Sequence, residues 1–87
     1  MENREKLAEA GYEGAIVFDR PDYDNAIIGV TEDGRVVYDF NKMVDYLMVV
    51  DGMKRHEAVE FIEYNTIRAL PYAGEKAPII MFALKNL

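Results

Sequence analysis

Residues 26–51 read AIIGVTEDGRVVYDFNKMVDYLMVVD, and they hold two strands, a turn and a helix in immediate succession. Ala26-Ile27-Ile28-Gly29-Val30 and Arg35-Val36-Val37-Tyr38 are β-rich runs on either side of Thr31-Glu32-Asp33-Gly34. Asp-Gly between two such runs marks a hairpin, because glycine accepts the positive φ that a tight connection demands. Asp39 closes the second run and can cap a helix that begins at the next residue. Phe40, Met43, Val44, Leu47 and Met48 fall at i, i+3, i+4, i+7 and i+8, the spacing of an amphipathic helix. Asp51-Gly52 ends it, and Val49 points almost directly away from the apolar stripe.

Upstream, residues 3–10 read as a short helix with Asn3 as N-cap, Leu7 and Ala10 as apolar positions and Gly11 at C′. Ala15-Ile16-Val17-Phe18 is a short apolar run consistent with a strand, and residues 19–25, rich in Asp with a Pro, read as a loop. Downstream, a helix is expected from Arg55 to Ala69 with Ala58, Phe61, Ile62, Asn65 and Ala69 inward. Lys54 is a poor N-cap for it, since an ammonium has no oxygen to accept an amide proton, although Glu57 stands at N3. Pro71 stops the helix, residues 72–76 form a loop, and Pro78 to Leu84 make a final strand. That strand shows little alternation, which suits an interior position in a sheet. The expectation is one α+β domain over residues 1–87 in the order αβββααβ. A small antiparallel or mixed sheet of about four strands has the two longer helices on one face.

The 87 residues are 51% apolar and 30% charged, with 16 Asp and Glu against 10 Lys and Arg and no Cys. Disulfides, thiolate metal sites and thiol catalysis are thereby excluded. No apolar run approaches the ~18 residues of a membrane span, and the charged N-terminus is unlike a secretory leader, so a cytoplasmic protein without membrane contact is expected. A chain this short buries only about 60–65% of its unfolded surface, which leaves little core for a deep active site. Direct nucleic-acid binding is disfavoured for want of a Lys/Arg cluster.

Charge is uneven: nine acids and three bases precede Gly34, and seven of each sign come after. Asp19, Asp22, Asp24, Glu32 and Asp33 therefore form a candidate acidic surface. Its bland reading is solubility; its sharper one is a face for a basic partner, or a mimic of nucleic-acid phosphates. The Asp-rich stretch fails as a calcium loop, since Pro21 occupies the second ligand position and a register begun at Asp22 puts Ile27 where glycine is needed. His56 lacks a second histidine or a nearby nucleophile. No phosphate-binding loop, nucleophile elbow or zinc-protease motif occurs, and no metal or cofactor is implied.

Asn65 is the residue that packing explains least. An amide on a buried stripe must find partners or cost roughly 1–3 kcal/mol. It either ties the loop 71–77 or a strand end to the helix or joins Arg68 and Tyr72 in a small recognition site, in which Glu63 would serve as base if the protein were an enzyme. Tyr46, Val49 and Tyr64 lie off the inward stripes and are candidates for a protein–protein or homodimer contact.

The run Ile16-Val17-Phe18 leading to Pro21-Asp22-Tyr23-Asp24, then AIIGVTEDGRVVYDFNKMVDYLM, DGMKRHEAVEFIEYNTIRALPY and GEKAPIIM, resembles a group of small proteins from Firmicutes. Many of those are found in gut bacteria and mobile elements, and the likeness extends over about residues 7–81. The resemblance brings no catalytic residue with it. It implies Ser or Thr where Lys54 stands, and a mobile-element setting implies a protein that modulates another, such as a nuclease or defence factor. The leading expectation is a non-enzymatic protein-binding module; the rivals are a small enzyme or ligand-binding protein built on residues 63–72, and a nucleic-acid mimic.

Overall fold

The computed structural model describes residues 2–12, 14–18 and 23–86, with the side chains of 2–4 and 86 left aside. Its regular elements are α1 (Glu2–Glu9), β1 (Ile27–Val30), β2 (Val36–Asp39), α2 (Phe40–Val50), α3 (Arg55–Asn65) and β3 (Ile79–Met81), joined by 3₁₀ turns at Asp24–Ala26, Ile67–Ala73 and Leu84–Asn86. The fold is α+β, with a mixed three-stranded sheet in the order β1-β2-β3.

The hairpin forms as its turn chemistry requires. Thr31 N–H donates to Arg35 O at 2.8 Å, Gly34 N–H to Thr31 O at 2.9 Å, and Gly34 takes φ +89°. This is a three-residue connection in which glycine supplies the left-handed residue. Opposite Tyr38 and Val37 the partners are Ile27 and Gly29, so Ile28 is an extra residue and β1 bulges there.

β2 is the centre of the sheet. Antiparallel β1 takes one side, while β3 pairs parallel on the other with Val37, Tyr38 and Asp39 opposite Ile79, Ile80 and Met81. Two expectations are thereby corrected. The final strand is a short, half-buried edge rather than an interior one, and residues 15–18 form no strand. With both sides of β2 occupied, a fourth strand has only the outer edges to join. Instead Phe18 N–H donates to the Tyr38 hydroxyl at 2.9 Å, and its ring lies 4.6 Å from that of Tyr38.

Each helix end has a local cause. Asp39 Oδ1 accepts from Asn41 N–H at 2.9 Å and Lys42 N–H at 3.3 Å, capping α2. Lys54 N–H donates to Glu57 Oε1 at 2.8 Å, half of a capping box whose other half an ammonium cannot make. After α1, Tyr12 N–H reaches Leu7 O and Gly11 N–H reaches Ala8 O, the paired bonds of a Schellman motif, with Gly11 at φ +92°.

One core cluster joins the layers: Val36 and Tyr38 of β2, Met43, Val44 and Leu47 of α2, and Ala58 and Ile62 of α3 are all fully buried. Met48, expected inward, is 38% exposed, so the α2 stripe ends at Leu47, one residue earlier than its spacing suggests. α3 ends at Asn65, not Ala69, and continues as a 3₁₀ helix that carries Pro71 inside it.

Candidate functional site

The inward line of α3 runs through Ala58, Ile62 and Thr66, four residues apart, rather than through Asn65. Asn65 is exposed, and its Nδ2 donates to Phe61 O at 3.1 Å across the last helical turn. The expected buried amide is thus corrected: Thr66, one residue on and in line with Ala58 and Ile62, is the buried polar group.

The outward side of α3 walls an open groove of about 790 Å³. Glu57, Glu60 and Glu63 supply its acids, and Met53, Phe61 and Ile67 its apolar floor. Tyr64, Asn65 and Arg68 complete it, with the Arg68 guanidinium carbon 4.9 Å from the centroid of the Tyr64 ring. This stacking is a cation–π contact that holds both long side chains across the groove. Tyr72 does not line the groove; it is 91% exposed on the 3₁₀ segment. The trio Asn65, Arg68 and Tyr72 is therefore not assembled around one point. Glu63 stands on the groove wall, exposed to solvent.

The remaining candidates separate. Val49 is exposed on α2, as its position off the stripe predicts. Tyr46 is half-buried, its ring 5.7 Å from that of Tyr23 in an edge-on contact, so it belongs to the core margin rather than to an open surface. Asp24 is corrected too: it is buried in the 3₁₀ turn that α1 and α2 pack against, and cannot be part of an acidic face. Asp19 and Asp22 lie outside the described residues. Glu32 and Asp33 are exposed at the hairpin tip. There Lys76 Nζ lies 3.8 Å from Asp33 Oδ2 and donates to Asp33 O, while the Thr31 hydroxyl donates to Asp33 Oδ1. The Thr31 hydrogen bond, with Lys76 behind it, holds the Asp33 carboxyl below its usual range.

No family model matches this chain, and no curated protein or solved structure is significantly similar to it.

Two features were missed by reading the sequence. Tyr23 is buried, and among the described residues its hydroxyl makes no hydrogen bond. Burial pushes that hydroxyl up to about 12, with the nearby Thr66 hydroxyl pulling the other way. A second groove, of about 490 Å³, runs between α1 and β1 with Lys6 and Lys42 at its walls. No sequence signal announces it, since its two lysines belong to different helices. Among the described residues, no group of three or more His, Asp and Glu is placed to hold a metal ion, and no helix is long and apolar enough to cross a membrane.

Proposed function

We propose that the chain is a small, non-enzymatic protein-binding module of the cytoplasm whose contact surface is the α3 groove, and whose partner offers a basic, partly apolar segment. The observation that carries this reading is the pairing of Glu57, Glu60 and Glu63 with the apolar floor of Phe61 and Ile67 in one open groove. Acids at a rim steer a basic partner and set its register, while aromatic and apolar groups supply the contact energy. The openness of the groove favours binding over catalysis, since a base there keeps its water. A cysteine-free, acidic chain suits the reducing cytoplasm. From the resemblance to small Firmicutes proteins, many of them in gut bacteria and mobile elements, we further propose that the bound protein is one whose activity is modulated.

The test is a titration tracked by NMR, using an amphipathic Lys/Arg-rich peptide and its Glu-rich counterpart. Shifts centred on residues 57–68, lost in high salt and weakened several-fold by E60Q/E63Q and by Y64A, support the proposal. Equal affinity for both peptides, or shifts that avoid α3, would sink it.

A further inference from the structure

We infer that the groove between α1 and β1 takes an extended acidic peptide, which adds to the sheet as a strand beside β1. Among the described residues, no strand pairs with β1 on the side away from β2. Ile28, Gly29 and Val30 line one wall of the groove, and Lys6, Leu7 and Ala10 of α1 line the other. The bulge at Ile28 leaves that side chain 43% exposed, and nothing within 4 Å would meet a Cβ built on Gly29, so this wall is open. An edge strand faced by a helix across an apolar trough is the arrangement that captures extended peptides, with the backbone giving affinity and the trough seating alternate side chains. Ile28, Gly29 and Val30 offer a run of about 10 Å at ~3.3 Å each, so about three residues of peptide fit against them.

Charge selects the occupant. In a chain where acids outnumber bases 16 to 10, the described residues that line this groove include Lys6 and Lys42 and no acid. A second copy of the chain is a poor occupant for the same reason. Pairing β1 with β1 about a two-fold axis would set the lysines of each copy against those of the other, with no carboxylate among the described lining residues to answer them. Lysine and a bulge at a sheet edge also repel indiscriminate pairing. The same features reject a basic or neutral strand and admit an acidic one.

The experiment titrates the full chain with two short peptides of equal length, alternating Val with Glu or Val with Lys, and monitors backbone amides by NMR. The Val/Glu peptide is expected to shift the amides of Ile28, Gly29 and Val30 and to slow their exchange with solvent, whereas the Val/Lys peptide leaves them unchanged. In K6E/K42E, where both altered side chains are exposed, binding of the Val/Glu peptide falls by roughly tenfold and the preference inverts. K6Q/K42Q, which removes charge without adding acids, gives an intermediate loss and guards against a variant that misfolds. Three results would overturn the inference: no shift at millimolar peptide, which leaves the lysines as edge guards only; equal binding of both peptides; or protection of β1 by self-association without peptide.

Discussion

The Phe18 backbone N–H donates to the Tyr38 hydroxyl at 2.9 Å, across 20 residues of chain, and so fastens an irregular segment to the central strand. Tyr38 is fully buried, so Tyr38→Phe removes this bond while keeping the ring in the core. The substitution is expected to cost about 1–2 kcal/mol, read from urea denaturation. Faster amide exchange should appear at residues 15–18 before it appears elsewhere.

Tyr23 predicts the opposite result. Its hydroxyl is buried and makes no hydrogen bond among the described residues, while its ring packs edge-on against Phe18 and Tyr46. Tyr23→Phe keeps the ring contacts and removes the orphaned polar group, so stability at neutral pH should stay level or rise.

The same hydroxyl makes stability fall at alkaline pH. Burial raises it from 10.0 to about 12, so below pH 10 it is protonated in both folded and unfolded chains. Between these values the unfolded chain ionises first and gains the advantage, and the loss levels off above the folded value. Urea titrations across this window should show a steeper decline in the wild type than in Tyr23→Phe.

Helix capping gives a matched pair of outcomes. Asp39→Ala removes the oxygen that accepts from Asn41 and Lys42 N–H and should cost about 0.5–2 kcal/mol, whereas Asp39→Asn keeps an acceptor and costs far less. Lys54→Ser supplies the missing half of the capping box opposite Glu57 and should stabilise by about 1 kcal/mol. Thermal unfolding of the three variants, measured together, checks both directions.

Arg35 ties the hairpin to the last strand, its Nε donating to Ala77 O at 2.8 Å just ahead of β3. Ala77 is buried, so Arg35→Met leaves its carbonyl unsatisfied at a cost of about 1–3 kcal/mol. Amides of Ile79–Met81 should exchange faster in this variant while those of α2 keep pace with the wild type.

Several parts of the molecule were legible in the chain itself: the 31–34 turn, the Asp39 cap, the glycine at the end of α1 and the stripe from Phe40 to Leu47. All rest on atoms a few residues apart, so local chemistry determines them. The α+β class came from their order. The rest was decided by contacts between distant segments. The central place of β2 left residues 15–18 only the outer edges of the sheet, which they do not join, and the rotational setting of α3, with Ala58 and Ile62 inward, turned Asn65 outward. Asp24 entered the core because two helices close over its turn. Neither groove's shape was visible in one dimension: Tyr64 and Arg68 stack across the passage from α3 into the 3₁₀ segment, and Lys6 and Lys42 meet at the other only because α1 and α2 both pack on the 3₁₀ turn that leads into β1. Periodicity tells which side of an element is apolar, but only the packing of one element on another determines which surfaces remain open to a partner.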